Sequence, residues 1–455
     1  MKRLTLAATV AVALLTAVPV RPAAAGGWLS TPIEHFIFLM QGDRSFDNYF
    51  GTYPGADGLP ADACLPFVTG RPQSGCVKPF SLHGQSAPVM GASRSIIQAQ
   101  VNGGRMDGFV AAYQARGRDG TPVMGYYDAR DLQFYWNAAD RYVLFDRFFA
   151  AAPYGTRLNR TYWMAAAPPP GATEQIPPDG YGNQPTIFDR LQAAGVDWKV
   201  YVQDYDPHET FRTQSTTDPA TQTVRVPLLA YARFVDDPAL NSHIVDLDQY
   251  YRDVADGTLP AVAYVASSGA SERSARSLQA GQNLVRNMTS KLIASRYWSS
   301  SAFLWSYDGS GGWYDHVAPP TAGADERGLR VPALLVSPYA RRGQVNHTVL
   351  DSTSALRFIE ENWRLAPLTP RDASAAGLSS AFDFGAKPRR AELIPTDDTT
   401  SHPPLVNVTI IYWCYGAAVL VVVLLLVAAV ARPAVDARRR RQAPGRMTDS
   451  EDTLP

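Results

Sequence analysis

Residues 33 to 51 read Ile33-Glu34-His35-Phe36-Ile37-Phe38-Leu39-Met40-Gln41-Gly42-Asp43-Arg44-Ser45-Phe46-Asp47-Asn48-Tyr49-Phe50-Gly51. The first half is a nearly continuous apolar run of strand length, and the second is a polar turn with a Ser that can cap a helix. A strand with no alternation is one buried on both faces, as strands covered by helices are. Four more runs have this character: Trp198 to Val202, Ala261 to Val265, Ala302 to Tyr307 and Val331 to Val336. Thr186 to Ala194 and Ser354 to Asn362 have the pattern of amphipathic covering helices. Together these predict an α/β fold, doubly wound around a mostly parallel sheet, rather than a β-sandwich.

Two further stretches concern topology. Met1 to Ala25 starts with Lys2 and Arg3, continues through an apolar run and closes on Ala23-Ala24-Ala25, the pattern of a secretory signal peptide. Val408 to Ala431 is free of charge and long enough for a hydrocarbon core of roughly 30 Å. Tyr412, Trp413 and Tyr415 lie at one end of it, and Arg432 with Arg438 to Arg441 follow the other. Aromatic belts and cytoplasmic basic residues have this placement, so the chain is expected to be a single-pass protein of the cell membrane, with one C-terminal transmembrane helix and its bulk extracytoplasmic. The expected organisation is a signal peptide over 1–25, an exterior domain over 26–366, a Pro-rich stalk over 367–407, the span over 408–431 and a basic cytoplasmic tail over 432–455. Tyr205 to Asp246, rich in Asp, Thr and Pro, reads as an insertion or cap.

The chain of 455 residues has 42 Lys+Arg against 42 Asp+Glu. The balance conceals an asymmetry. Without Lys2, Arg3, Arg21 and the tail's six Arg and four acidic residues, 33 basic residues face 38 acidic ones, a net of −5. A mildly acidic exterior excludes an electrostatically driven nucleic-acid binder. Three cysteines exclude a disulfide scaffold or a multi-Cys metal cluster. Cys64 and Cys76 are expected to pair in the oxidising exterior, closing a loop worth roughly 3 kcal/mol. Cys414 lies in the expected span.

In doubly wound sheets ligands sit beyond the carboxyl ends of the strands. Three polar groups follow apolar runs: Gln41 to Gly51, Thr156-Arg157-Leu158-Asn159-Arg160, and Tyr307-Asp308-Gly309-Ser310-Gly311-Gly312-Trp313-Tyr314-Asp315-His316-Val317. In order and spacing they resemble the bacterial phosphoesterases that include phospholipases C and acid phosphatases, within the alkaline-phosphatase-like superfamily. The resemblance runs from about Ile33 to Leu368. Met40 to Gly51 follows the Met-Gln-Glu-Asn-Arg-Ser-Phe-Asp-His-Tyr-Phe-Gly motif except at Gly42, Asp43 and Asn48. Further matches are Gly103 to Phe109, Asp146 to Phe149, Asn159-Arg160, Gly311 to Val317 with Pro319-Pro320, and Arg330-Val331-Pro332 with Ser337-Pro338.

The resemblance implies an alkaline-phosphatase-like α/β/α sandwich and hydrolysis of a phosphate ester or phospholipid. Thr156, three residues before Asn159-Arg160, stands where such proteins carry the nucleophile. A hydroxyl attacks poorly until a metal or base activates it, and the resemblance implies a divalent cation, of unknown identity, held by Asp43, Asp308 and Thr156. Asn159 and Arg160 would orient the phosphate or the Thr156 loop, and His316 is a candidate acid or base. The departures matter as much. Gly42 and Gly309 replace glutamates, and Arg94, Arg273 and Ser352 stand where histidines are expected, while His316 and His347 remain.

Two outcomes follow. In one, Asp43 supplies the lost carboxylate and Arg94 or Arg273 becomes a fixed positive charge for phosphate. In the other, catalysis is weak or lost and the pocket binds an anionic ligand at the cell surface. His35 reads as a core histidine, His208 as solvated and Asp47 as a brace for the first helix. Asp315-His316 reads equally as catalytic or as bracing a turn.

Overall fold

The computed structural model describes residues 29–83, 89–169, 171, 176–213, 218, 220–273, 278–320, 326–397, 412–426 and 428. The first apolar run forms β1 (His35–Gln41), buried at every residue after His35. It is the centre of an eight-stranded sheet whose other members are β2 (Val143–Phe145), β3 (Trp198–Val202), β4 (Ile244–Asp246), β5 (Val262–Ala266), β6 (Ser301–Tyr307), β7 (Ala333–Val336) and β8 (Gln344–Asn346). The spatial order is β8-β2-β7-β6-β1-β5-β3-β4. β1 lies parallel between β6 and β5, with Phe38 opposite Leu304 and Tyr264. β7 alone runs against its neighbours, β6 and β2.

Helices cover both faces, which is why the central strands are apolar at successive positions. On one face Phe38 meets Trp163 of a helix over Thr156–Ala165 at 5.6 Å, and Phe36 meets Phe358 of a helix over Ser352–Trp363 at 5.0 Å. On the other, Trp305 of β6 meets Tyr135 of a helix over Gln133–Arg141 at 5.6 Å. In chain order, Phe46–Phe50 is α1, Gln133–Arg141 α2, Thr156–Ala165 α3, Ile187–Ala193 α4, Leu278–Ile293 α5 and Ser352–Trp363 α6. The two expected covering helices are α4 and α6, each entered through a capping box, at Thr186 with Asp189 and at Asp351 with Ser354.

Three strands were not foreseen, and two expectations change. The strands β2, β4 and β8 have three residues each, too short to carry a hydrophobic pattern. The segment from Tyr205 to Asp246 is not a peripheral cap. Its end forms β4, and Val224, Leu228, Leu229, Tyr231 and Phe234 are fully buried. The stalk expected over 367–407 is folded against the domain at least through Ile394. Thr369 caps a short helix over Pro370–Ser374, and Leu378, Ala381, Phe382 and Ile394 are buried. Scattered apolar residues among Pro, Ala, Ser and Asp have no period, so composition alone misread them.

Cys64 and Cys76 are bonded. The expected signal peptide and cytoplasmic tail lie outside the described residues. Residues 412–426 are helical and exposed, and among the described residues no helix is long and apolar enough to cross a membrane. The other residues of the expected span, except 428, lie outside the described set.

The folded state of 367–394 is testable. Phe382, stacked on Phe358 and Phe384, costs about 3–5 kcal/mol on replacement by Ala in urea unfolding of the full chain. A stalk residue in that position would cost almost nothing.

Candidate active site

The loops after β1, β5 and β6 are tied together where the strands end. Asp308 donates its backbone N–H to Gln41 O at 3.0 Å, and Gly42 donates to Ser271 O at 2.9 Å. Asp43, Arg273 and Asp308 are thereby brought to one spot at the carboxyl edge of the sheet. Asp43 and Glu272 both take left-handed backbone with φ of 63°, a conformation that non-glycine residues adopt at a cost and that collects at functional sites. Thr156 enters from the first turn of α3. Asn159, one turn on, binds the backbone of Ala152 at 2.7 and 3.2 Å and Gly155 O at 3.1 Å, so it braces the turn that carries Thr156.

The structure brings Asp43, Thr156 and Asp308 together around the guanidinium of Arg273. Its Nη1 donates to Asp43 Oδ2 and, at 3.3 Å, to Thr156 Oγ1. Its Nη2 donates to Asp308 Oδ2 and Oδ1 at 3.0 and 3.3 Å. Arg160 sits behind Asp308, with Nε to Oδ2 at 2.7 Å and the remaining donors on the carbonyls of Met40, Gln41 and Arg225. Both side chains of the Arg160–Asp308 pair are wholly buried, so neither charge tolerates loss of the other. Burial pushes the Asp43 carboxyl up, against the pull of Arg273. Burial lowers Arg273, but Asp43 and Asp308 outweigh it and hold the guanidinium above its ordinary value.

This arrangement does not fit a metal ion at that spot. The three side chains expected as ligands are spent on Arg273, and two carboxylates already face two guanidinium groups. Gly42 explains how Arg273 came to fit, since a Cβ there would stand 2.7 Å from Nη2 and 3.0 Å from Cζ.

Sequence reasoning missed what holds Arg273. Glu272 is fully buried and accepts hydrogen bonds from the hydroxyls of Tyr49 at 2.6 Å, Tyr307 at 2.9 Å and Tyr135, with Gln41 Nε2 at 3.3 Å. Burial raises its carboxyl to about 7, with the tyrosine hydrogen bonds opposing. Gln41, Tyr49 and Tyr307 lie in motifs, but no local pattern links any of them to position 272.

His316 belongs to a second cluster. Its Nδ1 and backbone N–H meet Asp47 Oδ2 at 2.7 and 2.8 Å, and its Nε2 meets Asp57 at 3.2 Å. Arg330 bridges Asp47 at 2.9 Å and Asp315 at 2.8 Å. Burial lowers the His316 value, but Asp47 and Asp315 outweigh it and raise it, while burial pushes Asp315 up to about 6. Asp47, Asp315 and His316 offer one ligand atom each within 4.8 Å, a donor set that could hold a metal ion, although Arg330 lies within hydrogen-bond distance of all three. Asp47 thus braces α1 as expected, and the placement favours the bracing role of Asp315-His316.

Of the others, His347 pairs with Asp146 at 2.8 Å at the surface. His35 binds Pro260 O at 2.9 Å, and His208 is exposed. Arg94 is exposed and stacks on Tyr154, two residues before Thr156.

Residues 33–366 match the Phosphoesterase family, and the chain belongs to it. It is 28% identical over 449 residues to phospholipase C B of Mycobacterium tuberculosis, covering 86% of this chain and 84% of that one. It is also 28% identical to the non-hemolytic phospholipase C of Pseudomonas aeruginosa, covering 82% of this chain and 60% of the relative. A solved structure of a protein in the alkaline phosphatase superfamily from Vibrio parahaemolyticus has a TM-score of 0.36 at 9% identity, over 75% of this chain and 68% of that one. The chain is a hydrolase acting on phosphoester bonds.

The raised Glu272 value sets a pH dependence. Folded Glu272 keeps a proton that the unfolded chain releases at the ordinary carboxyl value. Stability therefore falls as pH rises from about 4.5 through about 7, by up to roughly 3 kcal/mol from this group. Glu272→Gln should flatten that fall, read as urea unfolding free energies between pH 5 and 8. Equal slopes in the two proteins would contradict the assignment.

Proposed function

We propose that the chain hydrolyses a phosphate ester or phospholipid outside the cytoplasm, by phosphoryl transfer to Thr156. The observation that carries this reading is Thr156 Oγ1 at the start of α3, partly exposed and on the same donor nitrogen as Asp43. The Oγ–P bond forms as the bond from phosphorus to the leaving oxygen breaks, and the Thr156 proton passes to the Asp43 carboxylate, which returns it to the leaving alkoxide. Water then attacks phospho-Thr156: the new P–O bond forms as the P–Oγ bond breaks, a water proton passes by way of Asp43 to Thr156 Oγ, and phosphate or a phosphomonoester leaves. Asn159 and Arg160 act as positioning residues, the first on the Thr156 turn and the second on Asp308. The cation anticipated from the sequence has no part in this scheme. His316 stands in the other cluster and carries no step.

The apolar stretch 408–431 supports anchorage in the cell membrane, with the domain facing a phospholipid surface, and the Mycobacterium and Pseudomonas phospholipases C support a phospholipid substrate. A second reading is an inactive descendant that binds an anionic ligand at the cell surface. One observation favours it: both carboxylates of the site are already neutralised by Arg273 and Arg160.

Hydrolysis of p-nitrophenyl phosphate, its bis ester and phosphatidylcholine by the full chain separates the two. Thr156→Ala should lower the rate by about a thousandfold or more, with Thr156→Ser retaining much of it. No turnover by the unaltered chain, with phosphate still raising its melting temperature, would establish the binding reading instead.

A further inference from the structure

We infer that the Arg273 guanidinium takes the place of the divalent cation at the Thr156 centre, so that the phosphoryl group is bound and stabilised by a fixed organic cation and no metal enters there. This rests on the phosphoester reading of the site for its substrate, but its geometry stands apart from turnover.

Three observations carry it. The first is coverage. One guanidinium contacts all three side chains that the sequence marks as metal ligands, through Nη1 to Asp43 and Thr156 and through Nη2 to Asp308. The second is exclusion. Gly42 is not in the left-handed region, so its backbone accepts any residue. Its lack of a side chain is needed only because a Cβ would stand 2.7 Å from Arg273 Nη2. Any side chain at 42 would therefore displace the guanidinium from its observed place, so the glycine at 42 and this Arg273 position go together. The third is charge. Asp43, Asp308 and Arg273 sum to −1. Restoring glutamates at 42 and 309, returning Asp43 to asparagine and Arg273 to a neutral histidine, and adding a divalent cation also gives −1. The exchange preserves the electrostatic balance of a site whose inner carboxylate is wholly buried.

Arg273 is placed to act on substrate. Its side chain keeps 16% exposure and Asp43 21%, against none for Asp308. Glu272, held by three tyrosine hydroxyls, fixes the backbone next to it. A planar guanidinium can donate two parallel hydrogen bonds to phosphoryl oxygens, and a charge already in place stabilises the transition state without reorganising. During transfer to Thr156, Arg273 gives up no proton and forms no covalent bond.

The test is metal content and anion binding of the purified full chain. After equilibration with Mg²⁺, Ca²⁺, Mn²⁺ or Zn²⁺ and desalting, no ion should remain whose retention depends on Asp43, judged against Asp43→Asn. Inorganic phosphate and orthovanadate should raise the melting temperature equally with and without chelator, and Arg273→Met should lose that shift. Gly42→Glu combined with Arg273→His should gain one equivalent of divalent cation. One equivalent in the unaltered chain that is lost in Asp43→Asn, or an anion shift abolished by chelator, would overturn the inference. If the double variant does not fold, the unaltered chain and Arg273→Met still decide. A chain that binds no metal, responds to vanadate through Arg273 and turns over no ester sinks the hydrolytic reading alone.

Discussion

A guanidinium mostly withdrawn from water needs partners for its buried donors, and Arg273 finds them on three segments that are far apart in the chain. Asp43 follows the first strand, Thr156 opens α3 and Asp308 follows β6. Behind it, Arg160 repeats the device on the inner side of Asp308 and adds three carbonyls. Each of these groups would be costly to bury alone. The order of the strands at the centre of the sheet and the convergence of the loops are therefore one constraint: β1 between β5 and β6 puts the two carboxylates and the arginine within reach of each other.

The support for that cluster is polar as well. Glu272 lies beneath Arg273 among the hydroxyls of Tyr49, Tyr135 and Tyr307, from α1, α2 and β6, while Arg44 stacks over Tyr49, Tyr127 and Trp313. The hydrogen bonds that converge on Glu272 specify one arrangement of that carboxyl and resist alternatives, whereas the Arg44 guanidinium is held by rings and its nitrogens have no hydrogen-bond partner among the described residues. The Glu272 network holds the residue that presents the Arg273 guanidinium, so the position of the charge is determined by contacts well inside the domain.

Much of this architecture was legible in the sequence because its signals are local. Continuous apolar runs marked β1, β3, β5, β6 and β7, and the amphipathic patterns of Thr186 to Ala194 and Ser354 to Asn362 marked α4 and α6. The order of the motifs also picked out Asp43, Thr156 and Asp308, which the fold does bring together. What was not legible depends on contacts across long separations. Three-residue strands take their identity from neighbours rather than from pattern. The buried residues between Leu378 and Ile394 have no period. His316 follows a family-like motif yet faces Asp47 and Asp57. Most consequentially, Arg273 was read as an anion-binding partner of a metal, when its guanidinium fills the space among the ligands themselves. Gly42 held that information, but only as the absence of a side chain whose partner lies 231 positions away.

The central claim is that a guanidinium, not a metal ion, lies among Asp43, Thr156 and Asp308. Anomalous diffraction from crystals of the protein grown with Mn²⁺ tests it most directly. The account predicts planar guanidinium density there and no anomalous peak. A peak within about 2.6 Å of the three side-chain oxygens, with Arg273 turned away, would contradict it.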